Sequence, residues 1–232
     1  MNRMKTPEGP ADTRMMGIVH EALKRDLLRV RRVLITAPPP QGRQRVALGE
    51  HIIWMLDFLH AHHSGEDAGL WPLVRRRNPA AADLLDTMEA DHARIAPAAD
   101  MAAAAAREYA ATTTEPARAA LGTALDALVE VLVPHLDREV AEAMPVVAAS
   151  ITNREWDAIE QEYNIKPKTT RQLAMEGHWL LEDIDAEGYD IVVHKVPALL
   201  RFILLHGFGR TYRRQAEARW TPEESPLRAT TS

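Results

Sequence analysis

The sequence predicts an all-α protein: an up-down-up-down four-helix bundle with additional C-terminal helices. Three observations carry that reading. Apolar residues recur at helical spacing through four long segments, and short breaks bearing proline, glycine or threonine separate them. Alanine is abundant while aromatics make up only 5% of the chain, which favours close-packed helices over sheets. Hydrophobic content of 46% argues against wholesale disorder, and 232 residues suffice for one domain with a helical appendage.

Residues 1–11 are polar, carry Pro7 and Pro10, and read as a loose leader. The first helix is expected over 12–35, with Met16, Leu23, Leu27, Val30 and Leu34 as its apolar stripe and His20 inside that stripe. Pro38, Pro39, Pro40 and Gly42 end it. The second helix is expected over 43–68, with Leu48, Ile52, Met55, Phe58 and Leu59 leading to His62 and Glu66; Trp71-Pro72 and Asn78-Pro79 mark the break. The third opens near Pro79, where a first-turn proline is tolerated, and runs to about Ala111 with Leu84, Leu85, Met88, His92 and Ile95 on one face. The turn at 112–116 leads into a fourth helix over 116–143, whose stripe of Leu121, Leu125, Leu128, Val131 and Leu132 leads to His135. Pro134 is expected to kink it at the His135 turn, or else the helix ends and restarts there.

The character changes after Ser150, so the chain divides into a bundle at 12–148 and an extension at 149–232 that packs on it. Thr152-Asn153-Arg154-Glu155 reads as a capping box opening a short helix through Tyr163. A second short helix is expected over 170–182 and a helical pair over 197–220, with a polar frayed tail after Thr221. The stretch from Gly188 to Val193 is ambiguous between a loop and an edge strand. Arg201, Arg210, Arg213, Arg214 and Arg219 alternate with apolar residues. That pattern suits a bundle cover with a solvated basic face better than a helix lying on a membrane.

Composition removes several function classes. There is no cysteine, so any metal must be held by nitrogen and oxygen, and the lack of disulfides fits a reducing, cytoplasmic setting. The first residues carry no apolar signal-peptide region. The longest apolar run, 196–208, is interrupted by Arg201 and His206 and falls short of the ~20 residues a bilayer requires. A net charge of −5 argues against nucleic acid as a partner; a homodimer is left open.

The chemistry is carried by an internal echo. His62 and Glu66 stand four apart with Pro72 six residues after the glutamate; His135 and Glu139 stand four apart with Pro145 six residues after. Helical residues four apart share a face, so each of these helices projects an imidazole and a carboxylate together. His20 and His92 lie on the inward stripes of the other two helices. A lone inward histidine is usually a core residue. Two buried glutamates without partners would cost several kcal/mol each, and a pair of metal ions is the simplest compensation. Two bridging carboxylates with neutral imidazoles suit iron, with manganese an alternative.

The order His20, His62/Glu66, His92, His135/Glu139 resembles hemerythrin and the hemerythrin-like HHE cation-binding domains over about residues 12–148. The phrases "HEALKRDL", "HHSGEDAGLWPL", "DHARI" and "HLDREVAEAMP" are similar to that family too. The resemblance implies two iron ions bridged by Glu66 and Glu139, with the four histidines as terminal ligands. Oxygen-carrying hemerythrins have a second histidine four residues on in the third helix, where this chain has Ala96. One coordination position is therefore left open, which favours reactivity over pure O2 carriage, unless His63, Asp67 or Glu89 fills it. The plainer roles for those three are hydrogen bonding to ligands or solvent exposure.

His51 lies ~16 Å from His62 along the helix, too far for the same centre, and reads as a core or interface residue. His60 points away from His62, and His178, His194 and His206 read as structural; Trp54 and Trp71 read as packing residues. Three functions fit: a di-iron protein that reacts with O2 or H2O2, including catalase-type disproportionation; a binding or sensing protein for O2, NO or iron; or a di-iron oxidase or oxygenase whose organic substrate is held by the extension. No residue outside the metal ligands marks itself as acid, base or nucleophile, so the chemistry falls to the metal. The extension could also restrict access to the irons.

Overall fold

The computed structural model describes residues 6–195 and 198–220. Four long helices form the bundle: α1 (Arg14–Leu34), α2 (Gly42–Gly65), continued after a π turn by α3 (Trp71–Arg77), α4 (Ala82–Ala111), and α5 (Glu115–Arg138), continued likewise by α6 (Met144–Ser150). Cross-links between α1 and α5 run antiparallel: Lys24 pairs with Asp137, Arg31 with Asp126, and Arg118 donates to the Leu34 carbonyl. Antiparallel contacts also join α1 to α2, where His20 meets His62 and Asp26 meets His51, and α2 to α4, where Arg45 reaches the Ala110 carbonyl. The ring order is α1, α2, α4, α5, the up-down-up-down bundle expected from the four apolar stripes.

The stripes face one core. Leu23, Leu27 and Val30 of α1 meet Ile52, Met55 and Leu59 of α2, Ile95, Ala102 and Ala106 of α4, and Leu121, Leu125, Leu128 and Leu132 of α5. The alanine block of α4 lets α2 approach closely. A Cβ placed on Gly49 would stand 2.7 Å from the Ala110 Cβ and 2.9 Å from the Ala106 carbonyl oxygen. By length and composition Glu115–Ser150 is apolar enough to cross a bilayer, but here it is a wall of the bundle with Leu121, Leu125, Leu128, Leu132 and His135 turned inward.

The helix is continuous through Pro134, without the break or restart weighed above, and the departure from α geometry falls five residues later. There, Glu139–Ala143 form a π turn in which the Met144 N–H bonds the Glu139 carbonyl. Glu66–Leu70 form its counterpart, with the Trp71 N–H on the Glu66 carbonyl. Pro72 and Pro145 follow directly. Proline cannot donate to the carbonyl four residues back and its ring crowds that carbonyl, so the widened turn accommodates it without ending the helix.

Four more helices and the chain start pack on this frame. The Thr152 capping box opens α7 (Asn153–Ile159), which runs into a π turn at Glu160–Ile165. A second capping box at Thr169 and Gln172 opens α8 (Thr170–Leu180). The Gly188 to Val193 stretch is helical, not strand or loop: α9 (Ala186–His194) is capped by the Asp185 side chain on the Gly188 N–H and buries Val192 and Val193. The expected helical pair is one helix among the described residues, α10 (Ala198–Arg219). Tyr212, Ala216 and Trp220 bury against the bundle while Arg210, Arg213 and Arg214 stay exposed, the arrangement of a cover with a basic outer face; Arg219 is buried. Residues 6–11 are not loose. The Asn153 N–H bonds the Gly9 carbonyl, the Arg154 N–H bonds the Pro7 carbonyl, and the Ala11 N–H bonds the Ile151 carbonyl. The expectations for residues 1–5, Pro197, the tail after Thr221 and the Arg201 and His206 side chains lie outside the described residues.

Candidate metal centre

All six residues singled out by spacing meet at one end of the bundle, each buried. His20 Nε2 stands 3.3 Å from His62 Nε2 and 3.3 Å from Glu139 Oε2. Glu66 reaches two helices, with Oε1 3.2 Å from His62 Nε2 and Oε2 3.6 Å from His92 Nε2. Glu139 Oε2 is also 3.6 Å from His135 Nε2. A seventh residue joins them. His63 stacks on His92 with ring centroids 4.0 Å apart and meets the His135 ring edge-on at 5.2 Å.

These side chains sort into two groups, His20/His62/Glu139 and His63/His92/His135, each with donor atoms within 4.8 Å of one another. Two ligands on one ion at ~2.1 Å are at most ~4.2 Å apart, so either group closes on a cation with a small contraction. Glu66 spans the groups, one oxygen on each side. Of His63, Asp67 and Glu89, the residues considered for the position that Ala96 leaves empty, His63 on the facing helix stands with His92 and His135 in a group that could hold an ion. Glu89 instead pairs with Arg75 at 3.2 Å and faces outward.

The surroundings prepare the ligand atoms. His20 Nδ1 donates to the Leu136 carbonyl at 3.1 Å, and His92 Nδ1 donates to Asp67 Oδ1 at 2.7 Å. Each bond holds the proton on Nδ1 and leaves Nε2 bare toward the cluster. Asp91, which the spacing of motifs did not single out, is buried against α5 and takes Arg138 Nη1 at 2.5 Å, with His135 Nδ1 3.6 Å away. Its signal in the sequence was only its place beside His92.

Burial holds His20 down at about 3, and burial with the neighbouring His92 charge holds His135 down at about 4. His62 and His63 are likewise pushed well below their ordinary value, by burial first and then by the charge of His20 on His62 and of His92 on His63. These four imidazoles are thus neutral, the form that binds metal. Burial raises Glu139 to about 8, and burial plus the Glu139 charge raises Glu66 well above the carboxylate range. Glu66 Oε1 and Oε2, Glu139 Oε1 and Oε2, and Nε2 of His63, His92 and His135 are buried with no hydrogen-bond partner among the described residues. Unmatched buried polar atoms on this scale are costly. A converging pair of cations satisfies all of them, so the donor set fits two metal ions.

A four-helix bundle that aims an imidazole from every long helix, and a carboxylate from the ends of two of them, at one point is a cation-binding bundle of the carboxylate–histidine type. The profile of the hemerythrin HHE cation binding domain matches residues 12–147, and the chain belongs to that family. No curated protein and no solved structure matches the chain. His51, His178 and His194 lie away from the centre. His51 bonds Asp26, His178 stacks on Tyr212, and His194 is exposed; His60 is exposed as well.

Proposed function

We propose that this protein is a non-haem di-iron protein that binds and reacts with O2 or hydrogen peroxide. The observation that carries the reading is the placement of Glu66, whose two unpartnered oxygens each face one imidazole group. In this reading Glu66 and Glu139 would bridge the pair, His20 and His62 would hold one ion, and His63, His92 and His135 would hold the other. The His20/His62 side offers one imidazole fewer, so a small ligand would bind there. Bound iron supplies the redox chemistry, since it cycles between Fe(II) and Fe(III).

The chain's own residues hold the donors and keep water out. Asp67 and the Leu136 carbonyl fix the two imidazole tautomers. Phe58 lies parallel to His62 with centroids 6.2 Å apart, and Trp179 meets Phe58 edge-on at 5.1 Å, an apolar wall on the His20/His62 side. A large cleft opens at His51, ~16 Å along α2 from His62, and does not reach the His/Glu cluster.

Metal analysis with absorption spectroscopy tests the centre. The expected result is two irons per chain and near-ultraviolet absorption from an oxo-bridged ferric pair. Glu66→Ala and Glu139→Ala should each lose at least one iron; two irons retained in either variant removes the bridging role. Mixing the iron-loaded protein with H2O2 separates the outcomes: sustained O2 release supports turnover, and a reversible spectral change without release supports a binding or sensing protein.

A further inference from the structure

The two groups of the metal centre differ in how their nitrogens are engaged with one another. In the His20/His62/Glu139 group the two imidazoles are already joined, with His20 Nε2 and His62 Nε2 3.3 Å apart. His20 gives its own proton to the Leu136 carbonyl through Nδ1, so the proton shared between the rings sits on His62 Nε2. That nitrogen also lies 3.2 Å from Glu66 Oε1. An ion entering here must break the bond between the rings. The proton must also leave His62 Nε2, to Nδ1 of the same ring or to solvent, before both nitrogens can bind.

The His63/His92/His135 group has no such bond to break. Nε2 of each of the three is buried and without a hydrogen-bond partner. The rings form a closed triangle: His63 stacks on His92 at 4.0 Å, and His135 stands edge-on to His92 at 4.8 Å and to His63 at 5.2 Å. Asp67 accepts from His92 Nδ1 at 2.7 Å, and Asp91 stands 3.6 Å from His135 Nδ1. A carboxylate behind an imidazole orients the ring and makes it a stronger metal ligand. An ion here meets three nitrogens already in place and satisfies three unmatched buried atoms at once. Glu66 Oε2, 3.6 Å from His92 Nε2, is at hand as a fourth donor. Late divalent metals take imidazole nitrogen readily, and three imidazoles outbid two.

Resting on the two-ion reading, we propose that the centre fills in order: an imidazole-preferring divalent ion enters the His63/His92/His135 position first, and the His20/His62/Glu139 position takes the second ion more weakly. His63 is the residue that sets this order. Without its ring the two positions would offer two imidazoles each. The exchangeable ion is then the one on the side of His62 and Phe58, whose rings lie parallel.

Anaerobic titration of the full-length, metal-free protein with Co2+, followed by calorimetry and visible absorption, tests the order. Wild type should take up two equivalents in two steps, the first at least tenfold tighter, and the two steps should differ in spectrum. His63→Ala should weaken the first step at least tenfold and merge it with the second. His63→Phe, which keeps a ring against His92 but offers no nitrogen, guards against a packing defect and should do the same. His20→Ala should keep the first step and lose the second. Two steps of equal affinity in wild type, a first step unchanged in both His63 variants, or a first step lost from His20→Ala with the second retained would overturn the order while leaving two ions per chain. Uptake of neither equivalent by wild type would remove the two-ion reading itself, and the order with it.

Discussion

Three buried histidines among the described residues have their protons assigned by a single acceptor each: His20 by the Leu136 carbonyl, His92 by Asp67, and His51 by Asp26. For His51 the consequence is a measurable pH dependence. Its ring is faced by Asp26 from α1, by Trp54 along its own helix, by Arg219 from α10 and by Trp220 just after it, with Glu182 contributing at longer range. Burial first, then the Arg219 charge, push its pKa below the ordinary value of 6.5 despite Asp26. The folded chain then keeps His51 neutral while the unfolded chain protonates it as pH falls. The unfolded state binds the extra proton, so the stability contributed by the neutral ring is complete above about 6.5 and is lost below it, at up to about 1.4 kcal/mol per pH unit. His51→Gln can keep both hydrogen bonds without titrating. Denaturant unfolding at pH 7.5, 6.5 and 5.5 should show wild type losing ground against this variant as pH drops, and parallel stabilities would contradict the assignment. The six spaced residues were legible at this scale because helical periodicity fixes what shares a face. His63 was harder to place, because adjacent positions on an α-helix normally diverge by ~100°, and only the meeting of α2 with α4 and α5 brings its ring onto His92 and His135.

At the scale of elements, the same proline spacing after both glutamates becomes the same backbone device, a π turn that begins at Glu66 and again at Glu139. The echo was visible in the letters, but its outcome as a π turn depends on bundle packing that keeps the helix going past the proline. The stretch from Gly188 to Val193 shows the opposite limit. Its β-branched residues suit a strand locally, but the described residues offer no strand to pair with, and the Asp185 cap plus burial of Val192 and Val193 decide for a helix. The close approach of α2 and α4 gives a test. Gly49→Ala would gain about 1 kcal/mol of helix propensity. Its Cβ would stand 2.9 Å from the backbone oxygen of Ala106, which cannot turn aside, and 2.7 Å from the Ala110 Cβ. Overpacking of this kind costs about 1–3 kcal/mol, so the clash outweighs the propensity. A lower midpoint in urea with an unchanged slope is the expected result; a higher midpoint would mean that the two helices separate freely.

Over the whole molecule, the bundle and the helices after Ser150 share one hydrophobic core. Trp179, Leu180, Tyr212, Ala216 and Trp220 belong to the same buried cluster as Leu27, Ile52 and Met55. Polar ties run across the same boundary: Arg29 to Glu182 at 2.8 Å, Trp179 to Asp26, and Gln44 to the Arg219 carbonyl at 3.2 Å. A second contact lies over the metal end. The Tyr163 ring rests on the π turn after Glu66 so closely that a Cβ on Gly69 would overlap its Cε2 at 2.3 Å. A chain ending at Ser150 would strip the cover from Trp54, Phe58 and the Asp26–His51 pair, and would open the side of α2 that carries His62 and Glu66. Trp179, Leu180, Tyr212 and Trp220 are each worth about 1.5–3 kcal/mol when buried, together comparable with a domain's entire stability. A net loss of about 3–5 kcal/mol corresponds to a fall in Tm of roughly 10 °C in a chain of this size. The truncated protein should therefore melt about that much earlier, bind a hydrophobic dye, and release iron to a chelator faster than the full chain. If melting, dye binding and iron release all match the full chain, the covering helices neither support the bundle nor shield its metal end.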